Sequence, residues 1–458
     1  MVGNDGLQRA GEVRIEQLKL INSADEIVDL SEFVVELNIY EDIFSNYLQG
    51  TIVLTDSRNI IDKFNIHGEE FLNVKLRTPS FSDADVIQKT FRVYKLTDRE
   101  IVRDTNTQNF TLHFVSVELF YDLSLPLFAP FEGTVTDVAG KIFSDFLATS
   151  RNFNISESNN EVIEDPKPTE LIVINEAANK VKFVSPGWSP LKCINWLASK
   201  SIPKDGIAKS FIFFESNKNF YFGTLEGLFR DAYKNNNYLG RYLISVSNIR
   251  QDENSQNVNR ELFLAKDVEM VESTDYIKNY TNGYLGNRLI YLDVFSKEYQ
   301  LVDYDHVNNY EKQFHTSGEG NKAKPIFSKD SFRNFATNIS FYPKNPKLFD
   351  NFQDNINEKM NEIHGNRLSS MLELTNIKMN MTIPGRTDAE VGRIIYFEYP
   401  SLGAKDSGDT ESSAQDKLYS GYYLITAIHH RINKLEHMMT IEVIKDSLYV
   451  DKASTERS

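Results

Sequence analysis

Three histidines fall within nine residues, His429, His430 and His437, in the stretch "GYYLITAIHHRINKLEHMMTIEVIK" (421–445). Imidazole is the side chain most suited to holding a transition metal or moving a proton near neutral pH. The alternating apolar pattern on either side reads as two strands of a hairpin. If Asn433 and Lys434 form the turn, Arg431 lies opposite Glu436 and His430 opposite His437, while His429 faces the other way. Two imidazoles on one face can start a metal site. A structural or catalytic site needs a third ligand, and the local sequence offers none. The competing reading is a pair of polar residues at the wet end of a hairpin. The expectation is therefore no metal ligands, no cofactor-binding residues and no catalytic residues here.

Other chemically capable residues point the same way. Asp56 and Asp62 in "TDSRNIIDKF" could pair as glycosidase carboxylates, but with 65 acidic residues in the chain such pairs are common, and capping or solvated roles are expected. Trp188 and Trp196 could stack a sugar or a base, yet both flank an amphipathic helix start, where core packing is expected. Cys193, the single cysteine, lies in the same helix without a histidine near it in sequence, so an inert buried thiol is expected. Nucleotide-binding glycine loops, H-E-x-x-H and G-x-S-x-G are absent, and "GEGNK" (318–322) is a loop fragment.

Composition limits the function classes. The 458 residues carry 50 basic and 65 acidic side chains, so 50 − 65 = −15, which disfavours nucleic-acid phosphates and anionic membrane surfaces. One cysteine rules out an internal disulfide and a cysteine-rich zinc cluster. No run of 18 apolar residues suggests a membrane span, and the N-terminus lacks a secretory apolar core, so folding in the cytosol is expected. Aromatics at 12% favour strands.

Those residues must be positioned by elements of two periods. Short alternating strands ("FVVELNIY", "GTIVLTDS", "FLNVKL", "TFRVYKL", "NFTLHFVSVEL") suggest a small antiparallel barrel over residues 1–122. Residues 123–236 read as an α+β unit. In it, a helix over 134–149 is capped by Thr134 with Asp137 as its capping-box partner, a second opens at Ser189-Pro190, and a hairpin turns across Ser216 to Asn219. Residues 237–345 are a mixed segment whose strands are expected to return to the second barrel and to the α+β unit. Residues 346–450 hold a helix near 348–372, marked by Phe352, Ile356, Met360 and Ile363, and then a second strand set opening with Ile377, Met379, Met381 and Ile383. Between its strands, residues 403–416 carry no large apolar side chain and are expected to form a surface loop. Residues 451–458 are a C-terminal tail.

The second strand set can be laid over the first. "FLNVKLRTPS" falls on "RIIYFEYPS", with Val74 on Ile395 and Leu76 on Phe397. "FRVYKLTDRE" falls on "YLITAIHHRI", with Phe91 on Tyr423, Val93 on Ile425 and Leu96 on Ile428. "FTLHFVSVEL" falls on "MTIEVIKDSL", with Leu112 on Ile441 and Phe114 on Val443. Three strands aligning in one order suggest a duplicated domain. The expected fold class is α+β, mainly antiparallel β, with two similar β-barrel domains and an intervening α+β domain.

Four segments, "GTIVLTDSRNIIDKF" (50–64), "LPLFAPFEG" (125–133), "FIFFESNKNFYFGTLEGL" (211–228) and "GYYLITAIHH" (421–430), together resemble the baseplate hub protein of contractile-tailed, T-even-like bacteriophages, and more distantly the hub halves of spike proteins in contractile secretion systems. The resemblance implies a non-enzymatic virion protein assembled in the host cytoplasm into the tail baseplate. It implies a homotrimeric ring between the tail tube, with its initiator proteins, and the central spike protein, with the tape measure protein as a further candidate partner. It brings no catalytic residues and no cofactor. No sequence-specific nucleic acid and no membrane insertion are expected, and the end at Ser458 suggests that any spike is a separate chain. The alternatives are a tail-associated polysaccharide or peptidoglycan hydrolase and a carbohydrate-binding module. The missing catalytic constellation weighs against the first, and the even spread of aromatics along strands against the second.

Overall fold

The computed structural model describes residues 7–446 apart from 103–105, 149–168, 205–209, 235–237, 245–259, 273–274, 295, 311–314, 317–337, 344–355, 375, 401–415 and 417–418. Seven strands build the first half: β1 (Arg14–Ile21), β2 (Ile27–Asp29), β3 (Val34–Asp42), β4 (Gln49–Asp56), β5 (Phe71–Arg77), β6 (Ile87–Val102) and β7 (Thr107–Ser116). They lie in the order β3-β4-β7-β6-β5-β1-β2, each pair antiparallel. The period-two pattern sends Leu72, Val74, Leu76, Phe91, Val93, Leu112 and Phe114 into one core, each fully buried. The Phe91 and Phe114 rings meet there at 4.7 Å.

The middle unit starts with the helix Val117–Ser124 and continues through β8 (Pro130–Thr134), the helix Val135–Phe146, β9 (Leu171–Val173), β10 (Lys180–Val184), the helix Pro190–Lys200, β11 (Phe211–Glu215), β12 (Phe220–Thr224) and the helix Leu225–Lys234. Thr134 caps the helix Val135–Phe146 as expected, its hydroxyl accepting from the amide of Asp137 at 3.2 Å. Val135, Val138, Ala139, Ile142 and Phe143 form the buried stripe. At the helix Pro190–Lys200 the cap differs from expectation. Ser189 makes no side-chain capping bond, and the buried carboxylate of Asp122 instead accepts from the amide of Leu191 at 2.5 Å. An acceptor 69 residues away in sequence satisfies that orphan amide, which local spacing could not reveal.

The last third holds β13 (Tyr238–Ile244), β14 (Leu264–Ala265), β15 (Asp267–Glu272), β16 (Gly286–Asp293), β17 (Glu298–Asp305), β18 (Asn338–Pro343), β19 (Ile377–Pro384), β20 (Ile394–Glu398), β21 (Gly421–Ile432) and β22 (His437–Lys445). β20, β21, β22, β19 and β15 form an antiparallel run, and β13 with β14 extends the β20 edge in parallel. β17-β16-β18 is a separate sheet, flanked by the helix Ile356–Leu374. The described part of that helix begins at Ile356, and 348–355 lie outside the described residues, as do "GEGNK" and nearly all of the 403–416 stretch.

Among the described strands neither half closes into a barrel, contrary to the sequence-based expectation. The free edge of the first half, β3, does not return to β1 or β2. It pairs with β21 instead, with Leu37 opposite Ile432 and Asp42 opposite Ala427. β21 is twelve residues long, enough to hold β20 along its first part and β3 along its second. A strand edge that would have closed one barrel is used to fuse two half-sheets into a single sheet of 14 strands.

The repeat read from the sequence is carried into the register. Val93 pairs with Phe114 and Leu96 with Leu112; the residues laid over them pair likewise, Ile425 with Val443 and Ile428 with Ile441. Both ladders slip at the same aligned step, between Val93 and Lys95 and between Ile425 and Ala427. The third strand is displaced: Phe91 pairs with Leu72 whereas Tyr423 pairs with Ile395, so Ile395 corresponds to Leu72 rather than Val74. A two-residue shift keeps the same side chains inward, which is why the pattern alone could not detect it.

Candidate functional site

The histidine hairpin lies where the two halves fuse. Its turn runs from Asn433 to Glu436, closed by the Asn433 amide on the Glu436 carbonyl at 3.0 Å. Consequently Ile432 faces His437, Arg431 faces Met438 and His430 faces Met439, a register two residues away from the expected one. Because the shift is even, His430 and His437 still share a face and meet diagonally. His429 points to the other face, where it stacks on Tyr40 at 4.5 Å between ring centroids and bonds Asn38 Oδ1 through Nε2 at 2.7 Å.

The expected wet hairpin end is dry: His430 and His437 are both 0% exposed. β3 covers them and supplies a third polar group, Glu41. Glu41 Oε1 lies 2.7 Å from His430 Nε2, and His430 Nδ1 lies 3.0 Å from His437 Nε2. The carboxylate can only accept, so His430 donates through Nε2 and accepts at Nδ1 from His437 Nε2–H. The three groups make a chain of hydrogen bonds in one direction. His437 Nδ1 at its end has no hydrogen-bond partner among the described residues. Burial, and then the neighbouring His430, push the pKa of His437 well below the usual imidazole value, so the ring stays neutral. Gly385 is needed beside it, since a Cβ there would stand 2.1 Å from the ring.

The β11–β12 turn is threaded into the same junction. The amide of Asn217 donates to Glu41 Oε2 at 3.1 Å, and its side-chain amide donates to the carbonyl of Ala389 at 2.7 Å. One residue earlier, Ser216 and then Tyr221 donate to Glu390 of the second half, each at 3.1 Å. Glu215 reaches the first half: its carboxylate accepts from Ser116 Oγ at 2.5 Å and the Leu48 amide at 2.9 Å, and it is ion-paired with Lys89. Full burial, partly offset by Lys89, raises the Glu215 pKa to about 7. Three residues of one turn thus bind both half-sheets and the seam between them. Thr78 and Thr387 add a reciprocal pair across the halves, each amide donating to the other's hydroxyl at 3.1 and 3.0 Å.

Chemically this is a strut. Glu41, His430 and His437 form a line, with no common centre for an ion and no nucleophile on the line. The other sequence candidates each have partners close by. Asp56 is buried and accepts from the amides of Arg58 and Ile60 at 2.7 and 2.6 Å, a capping role for the short helix Ile60–Lys63, while Asp62 bonds Asn59. Trp188 and Trp196 pack on each other at 5.4 Å within the middle core. Cys193 is fully buried beside Ser185, and burial raises its thiol pKa. Sequence reasoning missed Glu41, 389 residues from His430, because nothing local marks it. It also missed His315, Glu373 and Asp446, all buried, the group of described residues whose ligand atoms converge within 4.8 Å of one another.

No protein-family model and no curated protein sequence matches the chain. Solved structures do. A tail protein from Neisseria meningitidis MC58 superposes with a TM-score of 0.50 at 7% identity, over 94% of this chain and 96% of that one. The 43 kDa tail protein of prophage MuSo2 from Shewanella oneidensis gives 0.49 at 9% identity, over 95% of this chain and all of that one. The E. coli c3393 protein, a type VI secretion component described as structurally similar to the T4 tail proteins gp27 and gp5, gives 0.38 at 10% identity, over 96% of this chain and 79% of that one. The chain shares its overall fold with the tail protein from Neisseria meningitidis.

Proposed function

We propose that the chain is a structural, non-enzymatic phage tail protein: a subunit of the baseplate central hub ring that adapts the sixfold tail tube to the threefold central spike and encloses the channel for DNA. The observation that carries this is the matched register of β5-β6-β7 and β20-β21-β22, down to the shared slip in the ladder. Three chains with two such units each present six similar surfaces on one side and three on the other, which is how one polypeptide can meet both symmetries. The whole-length likeness to a tail protein supports the same reading. Its partners are then two further copies, the spike protein, and the tube or tube-initiator proteins, with the tape measure protein within reach, and its location is the virion baseplate. At −15 per chain, three chains contribute 3 × −15 = −45, and a channel wall of that sign would not hold passing DNA by its phosphates.

An unpaired surface suits association. On the β17-β16-β18 sheet, Leu292, Tyr299, Leu301, Ile339 and Phe341 are 45%, 69%, 51%, 53% and 70% exposed. An apolar sheet face of this kind is a contact surface in an assembled protein. Light scattering on the purified chain should give the mass of a trimer, Leu301→Asp with Phe341→Asp should reduce it, and electron microscopy should show a ring with both half-sheets at the channel. A dimer, or a ring lined by only one half of each subunit, would refute the hub reading.

A further inference from the structure

We propose, resting on the hub reading, that the exposed face of the β17-β16-β18 sheet docks on the β8-β10 ribbon of the next copy of this chain, with Phe128 as its anchor. The register puts Phe341, Ile290 and Leu301 in one row across that sheet, and Pro343, Leu292 and Tyr299 in the next. The row on the other side carries charge, Arg288 holding Asp303 at 2.7 and 2.8 Å through Nε and Nη2. An apolar face open on this scale is covered when the protein works.

β8 and β10 form a two-stranded ribbon with Val184 opposite Pro130. The pairing runs on past the strand ends, the Ser185 amide donating to the Ala129 carbonyl at 3.0 Å and the Gly187 amide to the Leu127 carbonyl at 2.9 Å. Alternation sends Leu127, Phe131 and Val181 into the middle core, and Phe128, Pro130, Val184 and Pro186 out to the surface. Phe128 is 76% exposed, and no large apolar side chain among the described residues is more so. Its ring nonetheless has a seat. It lies over Gly187, whose φ is +81° and where a Cβ would stand 2.7 Å from the ring. Two prolines and a seated ring have little freedom left to lose, so the ordering cost of association is low. A pre-placed aromatic of this kind is what anchors an interface.

The two faces match in layout and in charge. On the ribbon, the row after Pro130 and Val184 is Glu132 opposite Lys182, a surface ion pair of 2.9 Å. Each face is therefore an apolar patch ending in one exposed cross-strand ion pair, and sheet-on-sheet packing brings the two pairs together at one rim while the apolar rows meet beside them. Size agrees as well. At roughly 100 Å² for each exposed apolar side chain of the two patches, the contact removes on the order of 900 Å² of apolar surface, close to the apolar share of a standard interface of roughly 1,600 Å². Two different patches also fit the symmetry. A face that met its own copy would close a twofold dimer, whereas unlike faces joined head to tail continue around a ring and can close at three. The sheet belongs to the last third of the chain and the ribbon to the middle unit, so each copy carries both sides of the contact.

The test uses the full chain, in which the native Cys193 is buried and leaves added surface thiols alone to react. Phe128→Cys and Leu301→Cys in one chain, treated with a short bismaleimide and run on a denaturing gel, should give covalent trimers. Either cysteine alone should stay monomeric on the gel. Phe128→Asp should shift the light-scattering mass from three chains toward one, whereas Ile277→Asp, at an equally exposed position on the short helix Tyr276–Thr281, should leave it unchanged. Dimers from Leu301→Cys alone would overturn the proposal by showing that the sheet face meets its own copy. A trimer that survives Phe128→Asp and gives no linked product would overturn it while the hub reading stands, and would assign the face to the spike or tube protein. A wild-type chain that never trimerises would sink the hub reading and this contact with it.

Discussion

The two buried histidine clusters of this protein use the same side chains and behave differently. At the junction, each donor N–H is spent inside the cluster, His437 to His430 and His430 to Glu41, so the groups line up and lock β22, β21 and β3 together. In the second cluster His315 Nε2 donates outward to the Tyr310 carbonyl at 2.8 Å, while its Nδ1 lies 3.2 Å from Asp446 Oδ2 with Glu373 beside it. The junction histidines sit on neighbouring strands whose ladder fixes their spacing. His315, Glu373 and Asp446 come from a connecting segment, a helix end and a strand end, which can be brought around a common centre.

The largest effect that separates the two should come from Asp446→Ala, which takes the acceptor from buried His315 and from the Thr316 amide and should cost about 3–5 kcal/mol in urea unfolding. Glu41→Gln should cost less, about 1–2 kcal/mol, since the amide keeps one acceptor oxygen and replaces the other by NH2, so one of the bonds from His430 and the Asn217 amide is lost. A double-mutant cycle between Glu41→Gln and His437→Gln should show coupling of about 0.5 kcal/mol or more, whereas Glu41→Gln combined with Glu373→Gln should be additive. Coupling in the second pair and none in the first would show that the three junction groups do not act as one unit.

Acid titration sharpens the contrast further. His437 is held neutral in the fold, so the unfolded chain binds its proton first as pH falls below 6.5, and stability drops in that direction by at most about 1.4 kcal/mol per unit. Glu215 has the opposite sign. Its pKa is raised to about 7 from 4.5, so the folded chain holds the proton longer, and stability falls as pH rises through that window. Unfolding followed in urea across pH 5–7 should show the two slopes separately in Glu215→Gln, which keeps the acid loss, and in His437→Gln, which keeps the alkaline one. Identical pH profiles for the two variants would mean that neither group titrates as its surroundings require.

Much of the strand content could be read from the sequence, because alternation is local. The pairing of β6 with β7 repeated in β21 with β22, the capping of Val135–Phe146 by Thr134 and the shared face of His430 and His437 all follow from spacing. What could not be read depends on distant chain. Glu41 against His430, Asp122 on the Leu191 amide and Asp446 beside His315 each join residues that no window contains. The failure of the barrels to close has the same origin. An unclosed edge strand and a closed one have the same sequence pattern, and only β21 meeting β3 decides between them.

The smallest effect tests the edge of that second half. Residues 403–415 contain no large apolar residue, so little burial is lost when they are exchanged for a Gly-Ser linker of equal length. Asp416 must be kept. It is described, its amide donates to the carbonyl of Tyr399 at 2.9 Å, and its carboxylate accepts from the Tyr419 amide at 3.2 Å. With that anchor intact, the linker variant should melt within about 0.5 kcal/mol of the parent, as surface changes away from packed features do. Removing the carboxylate as well, by Asp416→Ala in the same variant, should cost about 1 kcal/mol through the lost hydrogen bond from the Tyr419 amide. A loss of several degrees from the linker alone would show that the stretch packs on the protein, and would move the boundary of the second half to include it.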